Sequence, residues 1–488
     1  MGEKEKLNNE KVEQEKKSNK KIIKTDIDAK DGQNKCPKCG ATDISLNSKT
    51  GKLRCNFCRH QFEPEKLETM EKDISKLEGE VLGSGATDII ADVKDILTFK
   101  CSSCGAEVVI DTSSQASARC HWCRNTLSVN QQIPNGAIPD TVLPFKVSKA
   151  DAKKEIENFV GKRKFYAHPE FRKEFTTDNI MGVYLPYMIV DANTHISLTG
   201  QGEHEVNRYT EKIGDRTITY YDADLYDVER DFDLTIEGLT IESSKDKLDT
   251  NSSNRTNNII NSIMPFDTEN CVKWDANYIK GYTSEKRDTN VDDLKGIVEA
   301  QSKDIARFAA NETLEDYDRG VRWDNENLKL KGQQWKAAYL PIWLYSYQEE
   351  KKDKKLLHYV AVNARTKKTM GSVPIHMPKL LLVSFFVELA GLIAMLFTYS
   401  DDNNWPWLFL LSGVLYFLII YGKYRNSGAR HNHEKDTKTN MSNLVKSDKL
   451  VRREKRLSDS KIKGANNTMV NGSLNSSTAM NLLNKFKE

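Results

Sequence analysis

The strongest constraint on this chain is the placing of its cysteines. Fifteen residues separate the second cysteine pair from the first, and the same gap recurs 65 residues further on. Eight of the nine cysteines form these C-x2-C pairs: Cys36/Cys39, Cys55/Cys58, Cys101/Cys104 and Cys120/Cys123. Two such pairs at this separation supply the four thiolates of a tetrahedral zinc site. The spacing therefore predicts two zinc ribbons, which together bind two Zn2+ ions through all eight cysteines.

Two other uses of the cysteine pairs fit less well. A disulfide framework needs an oxidising compartment, but residues 1–30 alternate Lys, Glu and Asn without the apolar run of a signal peptide. We therefore expect the soluble part in the cytoplasm, where thiols stay reduced. A redox C-x-x-C site would not explain four regularly spaced copies. Metal binding is the interpretation that accounts for the repeat.

The charge of the ribbons bears on whether they contact nucleic acid or protein. Residues 35–63 carry six Lys/Arg and two Asp/Glu, whereas residues 100–124 carry three and two. A zinc centre with four thiolates adds a charge of about −2. Because phosphate binding depends on clustered Lys/Arg, only the first ribbon has a weak electrostatic case for nucleic acid. We expect both ribbons to contact protein, with Phe57, Phe62 and Trp122 in their cores.

Two apolar runs near the C-terminal end predict a transmembrane hairpin. Residues 380–399 contain one charge, Glu388, and would span about 30 Å as a helix. Residues 405–421 form the second run, and Lys/Arg flank the pair, whereas Asp401 and Asp402 lie between the runs. The positive-inside rule then places both chain ends in the cytoplasm. The alternative, a hairpin buried in a globular protein, fits poorly with a mean hydropathy of −0.63 for the whole chain.

Glu388 is the unusual residue of this hairpin. Ser384, Glu388 and Gly391 share one helix face, and Ser412 and Tyr416 lie at a similar depth in the second run. An acid inside a bilayer is costly and faces a partner or a wet cavity. We expect packing between the helices or between subunits through small and polar residues. A proton or ion path, or an acid with no role, are the alternatives.

Residues 139–377 predict a mixed α/β or α+β domain. Ser148 is a predicted N-cap of a helix that runs to Val160, and residues 291–310 predict a second helix. Strands are predicted over 182–190, 217–221, 233–241, 339–347 and 356–363. The echoes of Leu143-Pro-Phe in Met264-Pro-Phe, and of Tyr184-Leu-Pro in Tyr339-Leu-Pro, suggest an internal duplication.

No residue set predicts an active site. Glycine-rich phosphate loops, H-E-x-x-H and G-x-S-x-G are absent from the sequence. His168, His195 and His204 match no metal-site spacing and are interpreted as surface or strand-face residues. Cys271 is interpreted as a small buried hydrophobic residue. We therefore expect a protein that is not an enzyme, although an active site hidden in residues 139–377 is an alternative.

The two ends of the chain are predicted to be disordered. Residues 1–34 are charged and lack aromatic side chains, and residues 423–488 carry fifteen Lys/Arg and six Asp/Glu. The whole chain has a net charge of +3, which by itself predicts no polyanion partner.

The predicted segments are an arm (1–34), ribbons (35–63, 99–130), a partly helical linker (64–98), the α/β domain (139–377), the hairpin (380–422: 380–399, 405–421) and a basic tail (423–488).

Several of these segments resemble one known family. Cys101-Ser-Ser-Cys-Gly-Ala-Glu-Val-Val, Arg119-Cys-His-Trp-Cys-Arg-Asn and Leu143-Pro-Phe-Lys are similar to the bacterial TFIIB-type zinc ribbon-containing membrane proteins. Gly182-Val-Tyr-Leu-Pro and Tyr339-Leu-Pro-Ile-Trp extend the resemblance, which covers residues 36–424. Some members of that family are encoded beside phage-shock-type (ESCRT-III-like) and SPFH-type proteins and help to recruit them to the membrane. The resemblance implies an adaptor role in envelope maintenance or stress.

The expected fold is multidomain. It comprises two four-cysteine zinc ribbons built from β-strands, a mixed α/β or α+β domain and an α-helical hairpin with two membrane spans. The expected function is a membrane-anchored zinc-ribbon adaptor that scaffolds protein partners at the cytoplasmic face of the lipid bilayer. The alternative is a membrane-tethered nucleic-acid-binding or regulatory protein that acts through the first ribbon and the basic segments.

Overall fold

The computed structural model describes most of the chain between residues 20 and 458. The described residues are 20–25, 36–41, 44–47, 50–67, 70–88, 96–100, 107–111, 118–119, 126–127, 132–133, 139–213, 216–244, 260–275, 278–279, 282–285, 287–351, 354–398, 405–425 and 432–458. The α-helices of this part are α1 (Lys149–Gly161), α2 (Pro169–Glu174), α3 (Val291–Asn311), α4 (Met377–Thr398), α5 (Ser412–Arg425) and α6 (Asn432–Lys435).

Within these residues, fourteen strands join one large mixed sheet. The strands of the chain are β1 (Lys20–Ile23), β2 (Ile44–Leu46), β3 (Leu53–Cys55), β4 (Gln61–Phe62), β5 (Gly79–Gly83), β6 (Ile96–Lys100), β7 (Glu107–Asp111), β8 (Ala118–Arg119), β9 (Thr126–Leu127), β10 (Gln132–Ile133), β11 (Thr141–Val142), β12 (Met181–Ile213), β13 (Arg216–Glu242), β14 (Val272–Lys273), β15 (Thr283–Glu285), β16 (Val321–Lys351), β17 (Lys354–Asn363), β18 (Thr369–Gly371) and β19 (Lys438–Ser458). Strands β2–β4 and β8–β9 form two small separate sheets.

Long antiparallel strands form the centre of the large sheet. Strand β12 lies between β13 and β16, and β16 in turn pairs with β17. The register of β12 on β16 places Leu185 opposite Leu340, with Tyr184 opposite Pro341 and Pro186 opposite Tyr339. The two Tyr-Leu-Pro segments therefore lie opposite each other in the antiparallel pair and are related by a local two-fold axis. This pairing is what an internal duplication would give, and the duplication itself stays a prediction.

The predicted helices and strands of the α/β domain are confirmed. Helix α1 begins after Ser148, whose hydroxyl accepts a hydrogen bond from the Asp151 N–H at 3.1 Å. Helix α3 begins at Val291 behind a capping box of Asn290 and Asp293. The five predicted strands all lie inside β12, β13, β16 and β17. The sequence underestimated their lengths, since β12 and β16 each exceed 30 residues.

The two helices bury their apolar sides against different parts of the sheet. Residues such as Ile156 of α1 pack in one cluster with Tyr184 and Trp343. Helix α3 belongs to another cluster, in which Leu294 and Val298 pack with sheet residues including Trp335. Trp335 is fully buried. Burial of such side chains, each worth about 2–3 kcal/mol, is the main force that holds the helices on the sheet.

The prediction of a disordered tail is wrong for its central part. Residues Lys438–Ser458 form β19, which pairs antiparallel with β13 along most of its length. The physical reason is charge complementarity between an acidic and a basic strand. Arg453 lies opposite Asp224, with 2.7 Å between Nε and Oδ1, and Lys449 lies opposite Asp227. Opposite charges at facing positions stabilise a strand pair.

The prediction of a disordered arm is also wrong for Lys20–Ile23, and the linker was predicted to be partly helical. Lys20–Ile23 of the arm forms β1, parallel to β5 of the linker, and β5 continues the sheet beside β16. Among its described residues, the linker contains strand β5 and two short 3-10 helices. Buried Asp140 fixes this region, because its carboxylate accepts hydrogen bonds at 2.7 Å from the backbone N–H groups of Gly85 and Ala337.

Candidate functional site

The first four cysteines, Cys36, Cys39, Cys55 and Cys58 (the first quartet), come together in the structure. Their sulfur atoms all lie within 4.8 Å of one another. The Sγ atoms of Cys36 and Cys58 are 3.6 Å apart, as are those of Cys39 and Cys55. A tetrahedral zinc with sulfurs at about 2.3 Å requires sulfur separations of about 3.8 Å. The first quartet therefore has the donor set and spacing of a site that could hold one metal ion, and its thiols form no disulfide.

The two C-x2-C turns of the first quartet have the same backbone conformation. In the first turn the Gly40 N–H donates to the Cys36 carbonyl at 2.8 Å, and in the second the Arg59 N–H donates to the Cys55 carbonyl at 2.9 Å. Both Gly40 and Arg59 have positive φ, at +70° and +61°. Glycine adopts this conformation without strain, whereas arginine does not. The second cysteine turn therefore adopts this conformation at a cost, because Arg59 occupies the position that glycine occupies in the first turn.

The electrostatics of the first quartet favour a bound cation. Although burial raises the pKa of Cys36, the backbone N–H groups of Lys38 and Cys39 lower it overall to about 7. The Ala41 N–H lowers the pKa of Cys39, but burial and the neighbouring sulfur atoms raise it overall to about 12. Four thiols this close cannot all ionise unless a positive ion offsets their repulsion. A divalent metal ion would supply that charge.

The first ribbon is a three-stranded sheet, β2–β3–β4, beneath the cysteines. Ile44 and Leu53 are buried in the same cluster as residues of the α/β domain, and Phe62 packs against it. The prediction that Phe57 belongs to the ribbon core is wrong, because its ring is 82% exposed. Phe57 occupies the turn between Cys55 and Cys58. An exposed aromatic ring therefore marks the metal-binding end of the ribbon.

The other four predicted ligands, Cys101, Cys104, Cys120 and Cys123 (the second quartet), lie outside the described residues, as does Trp122. The strands on either side of them are described. Strands β6 and β7 form an antiparallel pair, and β8 pairs with β9. Strand β7 also pairs with β15, which attaches this hairpin to the large sheet. A second zinc site stays a prediction.

The two predicted membrane runs form long apolar helices. Segments Met377–Thr398 and Trp407–Tyr424 have mean hydropathies of 2.5 and 1.5 and are apolar and long enough to cross a membrane. Only 17% and 11% of these residues are buried, unlike the core helix of a soluble protein. Their exposed side chains include Leu381, Leu382, Phe385, Phe386, Leu396, Phe397, Leu408, Leu411, Val414, Leu415 and Ile419. The pair presents an apolar outer surface.

Glu388 lies between the two helices, as predicted for a packing role. Its Oε2 accepts a hydrogen bond from the Gly413 backbone N–H at 2.7 Å. The Ser412 hydroxyl donates to the Val387 carbonyl at 3.2 Å. Gly391 faces Ser412 and the Phe409 carbonyl so closely that a methyl group would collide with both. One backbone N–H group at the start of α5, that of Gly413, is thus bonded to an acid from α4.

Tyrosines join the helix pair to the α/β domain. The Tyr166 and Tyr416 hydroxyls are 2.6 Å apart. The Tyr424 hydroxyl donates to the Arg163 carbonyl and accepts from the Tyr166 backbone N–H, the latter at 3.3 Å. Leu380 at the start of α4 and Tyr424 at the end of α5 are both buried here. The two helices therefore leave the domain side by side and run antiparallel.

The remaining candidate residues do not form a second site among the described residues. His195 lies on β12 with Nδ1 2.9 Å from Asp233 Oδ1, and exposed His204 contacts the Asp316 carbonyl. His168 caps α2 near His376. Burial raises the pKa of the Cys271 thiol to about 12, as expected for an inert cysteine.

Comparisons with family models, with curated proteins and with solved structures give no match. The resemblance noted in the sequence therefore remains an expectation.

Proposed function

We propose that this chain is a membrane-anchored zinc-ribbon adaptor, and not an enzyme. The observation that carries the proposal is the strand pairing of β13 with β19, which come before and after the helix pair in the chain. Both flanks of the apolar segment must then lie on one side of a membrane. A hairpin with two crossings satisfies this requirement, and a single crossing does not.

The orientation of the anchor follows from the flanking charges. Lys379 precedes the first apolar run, and Lys423 and Arg425 follow the second, whereas Asp401 and Asp402 lie in the connection. The positive-inside rule places the α/β domain, the ribbons and both chain ends in the cytoplasm. In that compartment the cysteines stay reduced and available to metal. The hairpin, the ribbons and the α/β domain would then share one cytoplasmic membrane surface.

Zinc is the ion we propose for the first quartet, because four thiolates in tetrahedral spacing are its preferred structural ligands. The second quartet has the same sequence spacing and is proposed to bind a second zinc ion. In both ribbons the metal would replace a hydrophobic core that is too small to fold alone. The ribbons thereby become rigid contact modules on the cytoplasmic domain.

Protein partners are the proposed ligands of this surface. Exposed Phe57 supplies an aromatic contact at the metal-binding end of the first ribbon, and aromatic residues are enriched at such interfaces. The resemblance suggests phage-shock or ESCRT-III-like and SPFH-type partners, and a role in envelope maintenance or stress. Recruitment to the bilayer would follow from the anchor.

A pulldown of the full chain from detergent-solubilised membranes tests this proposal. Wild type is compared with Cys36→Ser/Cys39→Ser, with Cys101→Ser/Cys104→Ser and with Cys271→Ser, a matched control outside both quartets. We expect membrane-remodelling or SPFH-like proteins with wild type and control, and their loss with either double variant. Recovery of the same proteins with all four chains would contradict a role for the ribbons.

A nucleic-acid-binding function is the second candidate, and exposed Phe57 is the observation that favours it. An exposed ring beside Lys/Arg can stack on a base. Against it, the basic strand β19 faces the acidic strand β13, which leaves less free positive charge for phosphates. Salt-dependent retention of RNA by the full chain, lost in Phe57→Ala, would favour this function, because phosphate binding weakens steeply with salt.

A further inference from the structure

The loop Gly161–Tyr166 (the basal loop) has an unusual division between buried and exposed side chains. Its sequence is Gly-Lys-Arg-Lys-Phe-Tyr, and Arg163 and Tyr166 are buried at 8% and 3% exposure. The lysines at 162 and 164 are exposed, and Phe165 is 59% exposed. The loop therefore exposes an aromatic ring and two lysine side chains to its surroundings.

The basal loop is held rigidly at the base of the apolar helices. Arg163 lies over the Phe159 ring at 3.7 Å, and its guanidinium donates to the Phe159 carbonyl at 3.1 Å. The Lys379 ammonium donates to the Phe165 carbonyl at 2.8 Å and lies 3.7 Å from the centre of the Phe165 ring. Together with the tyrosine contacts to α5, these bonds fix the position of the exposed ring relative to the helix pair.

The depth of the loop coincides with the start of the apolar surface. Lys379 is followed at once by residues 380–398, whose first outward side chains, Leu381 and Leu382, are 55% and 57% exposed. At a rise of about 1.5 Å per residue, Lys379 lies only about 3 Å from Leu381 along the helix axis. Phe165 touches Lys379, so its ring lies at the level where hydrocarbon would begin.

We propose that the basal loop is a lipid-binding element that inserts Phe165 at the headgroup boundary and binds anionic lipid headgroups through Lys162 and Lys164. This inference rests on the proposed membrane anchor. An aromatic ring is favourable at the membrane interface, and lysine side chains extend their charge towards phosphate groups while their stems lie along apolar surface. The negative charge of the cytoplasmic leaflet complements the ammonium groups of Lys162 and Lys164 and that of Lys379, which lies over the ring.

The loop contact would do more than strengthen an anchor that already crosses the bilayer. A hairpin alone leaves the domain free to tilt about the helix ends. A third contact, displaced from the helix axes, would fix the orientation of the sheet and ribbons relative to the membrane plane. The sequence signal for this element is a run of three Lys/Arg followed by two aromatic residues directly after helix α1.

The test uses the full chain in vesicles of phosphatidylcholine with roughly 30% phosphatidylglycerol, a typical anionic surface. A photo-crosslinking phenylalanine analogue replaces Phe165, and in a control chain it replaces Phe57 of the first ribbon, which is even more exposed. Lipid adducts are identified by mass spectrometry. We expect adducts at position 165, with the anionic lipid enriched about threefold over its share in the vesicle, and none at position 57.

Two lysine variants test the headgroup contact. In Lys162→Gln/Lys164→Gln the anionic enrichment should disappear, whereas Lys149→Gln/Lys154→Gln, a control pair of exposed lysines on the preceding helix α1, should retain it. Retention of the protein on vesicles at alkaline pH reports the anchor separately. Loss of retention would overturn the proposed hairpin. Retained protein without lipid adducts at position 165, or with unchanged enrichment in the first variant, would overturn the lipid-binding loop alone.

Discussion

The bond between Arg230 and Asp448 should control whether β19 stays on the sheet. Arg230 is fully buried, and each of its N–H groups has an acceptor. Two of these acceptors are the Asp448 oxygens, at 2.5 and 3.3 Å, and the others belong to Thr313 and Glu229. The substitution Asp448→Ala leaves a buried guanidinium with two unpaired N–H groups and no counter-charge.

The expected cost is large because the charge cannot move to water while β19 is docked. Removing one partner of a buried ion pair costs about 3–5 kcal/mol, and each 1.4 kcal/mol is about tenfold in an equilibrium constant. Opening of β19 would expose Arg230 and relieve the penalty. We therefore expect the opening equilibrium of β19 to rise by at least about a hundredfold in Asp448→Ala.

Hydrogen exchange of the full chain in detergent, followed on peptides that cover Lys438–Ser458, measures this opening. Asp224→Ala is the matched control, because its partner Arg453 is 64% exposed and solvent screens that pair. The double variant Arg230→Met/Asp448→Leu should recover protection, because it removes the buried charge altogether. Equal loss of protection in Asp448→Ala and Asp224→Ala would refute the reasoning.

Four further predictions follow from the geometry. Although burial raises the pKa of Asp448, its hydrogen bonds with Arg230 lower that pKa overall below the usual aspartate value. The stabilisation from this pair is therefore fully present above the usual aspartate pKa and is lost as the pH falls through the lowered pKa of the folded protein. Hydrogen exchange of β19 should accordingly accelerate in acid. Arg59→Gly should raise the free energy of unfolding by about 1 kcal/mol in the metal-bound protein, measured by denaturant titration, because φ is positive. Gly391→Ala should lower the thermal midpoint in detergent, whereas Gly422→Ala, where a methyl group meets nothing, should not. Elemental analysis should find two zinc ions per chain and one in Cys36→Ser/Cys39→Ser, and chelation should speed exchange in β2–β4 but not in β12.

The features that the sequence predicted correctly depend on neighbouring residues. The spacing of Cys36, Cys39, Cys55 and Cys58 encodes two turns and a hairpin, and this short segment brings the four sulfurs together. Helix α1 was predicted from Ser148 and the apolar positions that follow it. The apolar runs of α4 and α5 were visible because hydropathy over a helix length does not depend on distant partners.

The features that the sequence did not reveal depend on distant partners. Strand β19 is highly charged, and nothing within it indicates a strand; it is ordered by β13, about 200 residues earlier. The polar halves of β12 and β16 are strands because each supplies the other with backbone hydrogen bonds. Phe57 was assigned to a core on hydrophobicity alone, but a two-residue metal turn has no interior to receive it. Each error arose where tertiary contacts outweigh local preference.

The late position of β19 has a consequence for how the protein is made. The chain is synthesised from its N-terminus, so β13 emerges long before its partner strand, and the two apolar helices are synthesised in between. Until the tail returns, the outer edge of β13 has unpaired backbone groups, which invite pairing with another chain. Completion of the sheet thus has to wait until the two helices have been synthesised. A fragment that stops at residue 376 would keep this edge open permanently, and would therefore tend to associate through β13 even with its remaining fold intact.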